Sequence, residues 1–207
     1  MITIATAPRR LEEEPGQGPE APDPAKAALA ALVARAGHGE GDAWETLVER
    51  YSRRVFALGL SRLRSREAAE DLTQSVFATL SEQLAAGAYR EEGRFEAWLF
   101  RIANNRVRDE AKRAARAPAG EVHGEIPATT ADRASAEDLD ALRRAVARLN
   151  EREQELLSLR HQAELAFADI AELTGEPLGT LLARHHRSLA KLRAMLDPDE
   201  EEHGADA

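Results

Sequence analysis

The chain has 207 residues, 43% of them hydrophobic, and a formal net charge of −9, so it is long enough for one medium domain or two small ones. The absence of cysteine excludes disulfides, thiolate catalysis and cysteine-based zinc sites. No apolar run approaches the roughly 18 residues of a membrane span, and the first ten residues lack a secretory pattern, so we expect a cytoplasmic protein.

Residues 1–40 are predicted to form a flexible N-terminal extension, because five of the nine prolines lie between positions 8 and 24. Within this extension we expect a short alanine-rich helix at about 24–36, with Asp23 as its N-cap and a proline in its first turn.

Residues 41–116 have apolar positions at helical spacing and are predicted to form the first folded domain. Asp42 is the expected N-cap of its first helix, a second helix begins at about Ser65, and a third spans about 94–116 after a loop. The apolar positions that define the first two helices are Trp44, Leu47, Val48, Tyr51, Val55 and Leu58, then Ala69, Leu72, Val76, Leu80 and Leu84.

An acidic stretch without periodicity, residues 117–137, is predicted to be a linker to a second helical domain, residues 138–196. Residues 197–207 form an acidic tail, which is either a solvated end or a regulatory arm, and the same alternatives apply to the N-terminal extension. Nothing in the chain has the pattern of a strand. The predicted fold class is therefore all-α, with two small helical domains joined by a flexible acidic linker.

The second domain has the pattern of a helix-turn-helix, in which the second helix enters the major groove of DNA. Asn150 and Glu153 have the spacing of a capping box. Further on, a short helix at 167–173 is followed by a glycine-containing turn and a last helix at 178–196.

The negative charge is unevenly distributed. Residues 41–116 and 141–196 each carry +2, whereas residues 117–140 carry −5 and residues 197–207 carry −6. The total net charge of −9 argues against a nucleic-acid ligand, because Lys and Arg provide the attraction to phosphate. The periodic segments alone are mildly basic, so nucleic-acid binding by the folded domains remains open.

Helical phase, at about 100° per residue, divides the helix at 178–196 into two faces. Leucines are predicted to form its buried face, with His185 packed among them. The expected leucine positions are Leu178, Leu181, Leu182, Leu189, Leu192 and Leu196. The stripe expected to contact DNA comprises Thr180, Arg184, Arg187 and Lys191, with His186 at its edge. This helix contains no acidic residue, unlike an ordinary solvated face.

The helix at 94–116 divides in the same way. Phe95, Trp98, Leu99 and Ile102 mark a core face, so Phe95 and Trp98 are interpreted as core residues, and the location of Phe100 stays open. The opposite stripe contains Arg101, Asn105, Arg108, Lys112 and Arg116. Such a stripe is long enough to follow a strand of phosphates.

Several stretches resemble conserved regions of bacterial RNA polymerase sigma factors of the extracytoplasmic-function type. Residues 69–77, Ala-Glu-Asp-Leu-Thr-Gln-Ser-Val-Phe, are similar to the signature of the second region, and residues 94–105 to the aromatic stretch that follows. Residues 149–153, 169–173 and 178–187 resemble the fourth region. Where many family members have Lys-Ser before the arginine of the recognition helix, this chain has leucine and alanine.

The resemblance implies an initiation subunit of RNA polymerase. Its partners would be core RNA polymerase and promoter DNA, with an anti-sigma factor as a further candidate, and neither membrane insertion nor a cofactor is expected. The implied polymerase-binding residues are Glu70, Asp71 and Gln74. The expected contacts to the minus-ten and minus-thirty-five elements are Arg101, Asn104, Asn105, Arg108 and Lys112, then Thr180, Arg184, His186, Arg187 and Lys191. The acidic linker, including Glu121, Glu125 and Asp132, would mimic nucleic-acid charge near the polymerase active-site channel.

Two other classes are less consistent with the residues. A helix-turn-helix regulator that acts without polymerase would need a dimerisation or ligand domain, and residues 41–116 show neither a heptad seam nor a ligand fingerprint. An enzyme would need a nucleophile, a metal or a phosphate loop, and no such motif is present. The six histidines offer no metal-binding spacing, so we expect no metal site and no catalytic residue.

Overall fold

Helices account for all regular secondary structure in residues 23–90, 93–114 and 136–196, the part of the chain that this computed structural model describes. The all-α prediction is therefore confirmed for these residues. In chain order the helices are α1 (Pro24–Gly37), α2 (Gly41–Leu63), α3 (Arg66–Ala85), α4 (Phe95–Ala114), α5 (Ala136–Ala147), α6 (Glu151–Leu157), a π-helical turn (Ser158–Gln162), α7 (Phe167–Thr174) and α8 (Leu178–Leu196). None of the described helices is long and apolar enough to cross a membrane.

Side-chain caps set several helix starts at the expected residues. Asp23 accepts a hydrogen bond from the amide of Ala25 at 3.0 Å, and Ser65 accepts one from Ala68 at 3.2 Å. Helix α2 differs from the prediction, because it begins at Gly41 with Glu40 as its N-cap. The carboxylate of Asp42 lies in the first turn of α2 and pairs with the guanidinium of Arg35 instead.

Helices α1 to α4 pack around one apolar core. Val33 of α1 is buried in it, so the described part of the N-terminal extension belongs to this helical unit. Helices α2 and α3 approach closely at Gly59, where a Cβ atom would lie 3.3 Å from Leu72 and 3.4 Å from Ala69. Residues 1–22, 91–92, 115–135 and 197–207 lie outside the described residues. They include Arg116 of the predicted stripe, most of the predicted linker with Glu121, Glu125 and Asp132, and the acidic tail.

The second half of the chain, residues 136–196 with helices α5 to α8, contains a small apolar core of its own. Ala145, Leu149, Leu157 and Leu192 bring α5, α6 and α8 together. The predicted capping box is present: Asn150 Oδ1 accepts from the Glu153 amide at 3.0 Å, and the Glu153 carboxylate accepts from the Asn150 amide at 3.1 Å. The helix-turn-helix also forms as expected, since Gly175 ends α7 with a φ of 72°, which favours glycine.

Six other buried apolar residues of the second half join the core of the first half. They are Leu156, Leu159, Ala163, Leu165, Ile170 and Leu181, and they form one continuous cluster with buried residues of α2, α3 and α4. The contact is made by the π-helical turn against α2 and by α7 against α4. The two predicted halves are thus packed directly against each other, an arrangement that periodicity does not reveal because it identifies an apolar face but not the partner of that face.

Candidate nucleic-acid interface

Helix α4 has the core face that its sequence predicts. Phe95, Leu99 and Val107 are at most 1% exposed. Trp98 is partly buried and packs on the ring of Tyr89 with 4.6 Å between centroids. Phe100, whose location was open, is fully buried, and the guanidinium of Arg54 lies 5.0 Å from its ring centroid. Phe95 and Phe100 are thus enclosed in the core, and Trp98 packs against it.

The polar stripe of α4 faces the second half of the chain over part of its length. Arg101 reaches the backbone carbonyl of Glu172 at 3.4 Å and the Glu172 carboxylate at 3.9 Å. Asn104 donates to the Glu155 carboxylate at 2.6 Å, and Arg108 pairs with the same carboxylate at 2.7 Å. Asn105 and Lys112 are exposed.

Asn104, an expected DNA contact, is not accessible in this structure, which corrects the expectation from the sequence. It is only 2% exposed in this structure, so DNA cannot reach it while Glu155 is in place. No local pattern indicates this pairing, because Asn104 and Glu155 lie 51 residues apart along the chain.

Helix α8 presents Thr180, His186 and Arg187 to solvent, as the stripe predicts. The other two cations of the stripe are paired with carboxylates from neighbouring elements: Arg184 makes a two-pronged pair with Glu176, and Lys191 pairs with Glu153 at 2.5 Å. No acidic residue lies on α8 itself, but carboxylates from neighbouring elements contact two cations of the stripe.

These pairs also explain two pKa shifts. The hydrogen bond from Arg184 lowers the pKa of the Glu176 carboxyl. The hydrogen bond from Lys191 does the same for the pKa of Glu153. Both carboxylates are thus held in the charged form that Arg184 and Lys191 require.

The predicted leucine face of α8 is only partly correct. Leu181 and Leu192 are buried, together with Ser188. The four other leucines are 37% to 46% exposed: Leu178, Leu182, Leu189 and Leu196. The reason is that α5, α6 and α7 cover only a narrow strip of α8 in this structure, so the apolar face is wider than its partners.

His185 is held by contacts with the π-helical turn and with α7, in agreement with its predicted packed position. Its Nε2 lies 3.0 Å from Nε2 of His161, and its ring meets the edge of Phe167 with 5.1 Å between centroids. Burial lowers the pKa of both histidines, and the positive charge of Arg160 lowers them further. Among the described residues, no group of three or more His, Asp or Glu is arranged to hold a metal ion.

The residues expected to bind polymerase share an exposed face of α3. Glu70 pairs with Arg66 at 2.8 Å, one helical turn away, and Gln74 is exposed. Asp71 lines a groove of about 370 Å³ between α3 and α4, to which Arg106 and Arg113 also contribute. Leu72 faces the other way into the core, which fixes the orientation of this face.

Several residues without a predicted role connect the two halves. Arg54 donates from Nε to the Ala163 carbonyl at 2.8 Å and from NH1 to the Glu96 carboxylate at 3.0 Å. Arg62 lies near Glu151, and Arg94 pairs with Glu172 at 3.2 Å. These cations share no motif in the sequence, and their partners lie 42 to 109 residues away. No local pattern could have identified them.

Comparison with known proteins identifies a family for both halves of the chain. Residues 47–117 match the family model described as Sigma-70 region 2, and residues 145–194 match Sigma-70, region 4. The chain is 33% identical over 187 residues to the ECF RNA polymerase sigma factor BldN of Streptomyces coelicolor, covering 86% of this chain and 70% of the relative. It is 34% identical over 162 residues to the RNA polymerase sigma factor CarQ of Myxococcus xanthus, covering 76% and 91%.

Two solved structures share the fold. CnrH in complex with the cytosolic domain of CnrY superposes with a TM-score of 0.64 and 24% identity, covering 84% of this chain and 99% of that chain. RpoE of Bartonella quintana, in complex with the anti-sigma factor NepR, superposes with a TM-score of 0.61 and 21% identity, covering 75% and 98%.

Proposed function

The chain belongs to the extracytoplasmic-function sigma factors of bacterial RNA polymerase, and on this premise we propose how its residues divide the work of promoter recognition. It is a sigma factor, which binds core RNA polymerase and directs transcription initiation, and it is not an enzyme. In this proposal residues 41–116 act as the region 2 domain, residues 138–196 act as the region 4 domain, and the acidic residues 117–137 join them.

Helix α4 contacts the minus-ten element in this proposal. The residues involved are Arg101, Asn104, Asn105, Arg108 and Lys112. From the first to the last of these the helix rises about 16 Å, which is enough to follow several phosphates of one strand. Asn104 becomes available to DNA only when Glu155 moves away, whereas the side chains of Arg101 and Arg108 are already 45% and 44% exposed.

Helix α8 contacts the minus-thirty-five element. The observation that carries this assignment is that α8, the second helix of the helix-turn-helix, keeps Thr180, His186 and Arg187 exposed while Leu181 and Leu192 anchor it. Arg184 and Lys191 complete the stripe, and Glu176 and Glu153 orient them. A major groove admits a helix in this orientation.

Core polymerase binds the exposed face of α3 that carries Glu70, Asp71 and Gln74. An anti-sigma factor is a further proposed partner, supported by the complex in which the related RpoE was solved. The cytoplasm is the proposed location, since that is where bacterial RNA polymerase meets its promoters.

Run-off transcription tests the function directly. Purified core polymerase is given genomic promoter fragments with and without this chain, and we expect new, discrete transcripts only in its presence. Failure to bind core polymerase would overturn the proposal. A protected site on duplex DNA in the absence of polymerase would favour an independent helix-turn-helix regulator instead.

A further inference from the structure

We propose that Leu182 is a specificity-determining residue of the recognition helix α8, and that it reads thymine through an apolar contact with the methyl group of that base. This inference rests on the proposed role of α8 at the minus-thirty-five element. It goes further, because it names the base, the atom in the groove and a side chain that lies outside the cationic stripe.

The outward face of α8 is not centred on its cationic stripe. Leu181 and Leu192 mark the buried side of the helix, since both are at most 8% exposed. At about 100° per residue, the line opposite this side passes through four exposed residues: Gly179, Ala183, His186 and Ala190. Leu182 and Arg187 flank that line, one on each side. The residues that come closest to a groove are therefore mostly small or apolar.

Two cations of the stripe lie nearer to the buried side. Glu176 holds Arg184, whose side chain is only 14% exposed, and Glu153 holds Lys191. Base edges are read by the side chains that enter the groove, whereas cations beside it contact phosphates. Arg184 and Lys191 thus leave base recognition to other residues of the helix.

Leu182 is an exposed leucine within the first two turns of α8, the part of a recognition helix that contacts base edges. It is 45% exposed and belongs to neither apolar cluster of the described residues. Leu182 is turned about 100° away from buried Leu181. The other exposed leucines of this helix lie closer to the buried side, at about 60–80°: Leu178, Leu189 and Leu196. Packing within the protein therefore does not account for a leucine at position 182.

Small neighbours allow this leucine to come close to the bases. A Cβ atom at Gly179 would have nothing within 4 Å among the described residues, so packing inside the protein does not require a glycine there. Glycine within a helix costs stability, and it is used where a backbone approaches a ligand closely. Ala183 continues the same exposed line toward the C-terminus. Helix α8 can therefore lie deep in a groove with Leu182 against its floor.

The chemistry of the major groove selects thymine as the partner of Leu182. Thymine carries a methyl group there, and apolar side chains contact it, whereas the other bases present hydrogen-bonding groups at their edges. A leucine placed against such a group would bury it without a partner, which is unfavourable. Leu182 also stands where many family members have lysine. A side chain suited to phosphate is thus replaced in this chain by one suited to a base.

Deoxyuridine tests the contact, because it lacks only the methyl group of thymine and forms the same base pair. Holoenzyme assembled from core polymerase and the full chain first selects duplexes from a random library, and footprinting locates the minus-thirty-five element. Each thymine of that element is then replaced in turn, and fluorescence anisotropy at fixed salt gives the affinity. At one thymine the wild type should lose about fourfold in affinity, as expected for one buried methyl group.

Leu182→Ala should bind the thymine and deoxyuridine duplexes equally at that position, because alanine no longer reaches the methyl group. The matched control is Leu189→Ala, which shortens a leucine that is 43% exposed and lies about 10 Å further along the helix. This control should keep the wild-type preference. Equal binding of both bases by the wild type at every position, or a wild-type preference in Leu182→Ala, would overturn the proposal.

Leu182→Lys asks separately whether position 182 faces DNA. Lysine there should steepen the slope of log affinity against log salt by about one unit. Leu196→Lys, at the exposed C-terminal end of α8, should leave the slope unchanged. An unchanged slope in Leu182→Lys would contradict the inference.

Two further outcomes are decisive. If Leu182→Ala weakens the binding of core polymerase and keeps the wild-type base preference, the leucine makes a protein contact and the inference is wrong. If holoenzyme selects no duplex at all, the proposed function fails, and the inference fails with it.

Discussion

The guanidinium of Arg54 donates two hydrogen bonds to the backbone carbonyl of Ala163, a residue 109 positions further along the chain. Because Ala163 is fully buried, water cannot replace these bonds. The same guanidinium neutralises Glu96, so one side chain satisfies a carbonyl of the second half and a carboxylate of the first. Arg54 therefore links the second half of the chain to the first through a single side chain.

Replacement of Arg54 by methionine should destabilise the protein by about 3 kcal/mol, because it leaves a buried carbonyl and a partly buried carboxylate without their partner. Urea unfolding measures this loss. Arg53 is exposed on the same helix, and R53M should change the free energy of unfolding by less than about 0.5 kcal/mol. Equal effects of the two substitutions would contradict the role of Arg54.

The histidine pair predicts a loss of stability in mild acid. Burial lowers the pKa of both His161 and His185 below the ordinary value of 6.5, so the unfolded chain binds protons more readily than the folded chain. Stability should therefore decrease as the pH falls through 6.5 toward the lowered values. Repulsion by Arg160 on both rings, and by His186 on His185, acts in the same direction.

Urea unfolding of wild type and His185→Gln at pH 7 and pH 5 checks this expectation. The variant should lose less stability between the two pH values than the wild type does, because one of the two titrating groups has been removed. His186→Gln, at an exposed neighbouring position, should keep most of the wild-type dependence, because it removes only the smallest of the repulsions on His185. If His185→Gln loses as much stability between pH 7 and pH 5 as the wild type does, the histidine pair does not contribute to the pH dependence.

Arg187→Ala should weaken binding of the polymerase complex to the minus-thirty-five element without altering the fold, since Arg187 is exposed. Loss of one phosphate contact should reduce the slope of log affinity against log salt by about one unit. Fluorescence anisotropy with promoter duplex at several salt concentrations measures that slope. Arg193→Ala removes the same charge from an exposed position outside the stripe and should leave the slope unchanged.

Arg184→Ala is expected to behave differently from Arg187→Ala. Arg184 is largely buried against Glu176, so its removal should lower both promoter affinity and the stability of the helix-turn-helix. We expect a loss of about 1–3 kcal/mol in the free energy of unfolding, the cost of leaving the Glu176 carboxylate without its charged donor. Unchanged stability together with weaker DNA binding would show that Arg184 acts on DNA alone.

Asp71→Asn should weaken the binding of core polymerase about tenfold, because it removes a charge from the exposed face of α3 next to the groove. Glu82→Gln removes the same charge further along α3 at an exposed position and should have little effect. Competition with labelled wild-type protein for core polymerase compares the two variants. Equal competition by both would contradict the assignment of this face.

Much of the local structure could be predicted from the sequence, because caps and apolar periodicity depend on residues within a few turns of each other. The capping box of Asn150 and Glu153, the turn at Gly175 and the core face of α4 are examples. The start of α2 differs from the prediction because Asp42 lies inside the first turn, where its carboxylate pairs with Arg35, and Glu40 is the N-cap. That choice depends on how α1 packs beside α2.

The sequence by itself determined the helices, their apolar faces and the two motif-bearing segments of a sigma factor. Only the tertiary structure decided which faces meet. It buried Asn104 against Glu155, paired Arg184 and Lys191 with acids from other elements, and left Leu182 and Leu189 exposed. The physical reason is that charge pairing and burial depend on distance in space, and residues on separate helices become neighbours only when the chain has packed.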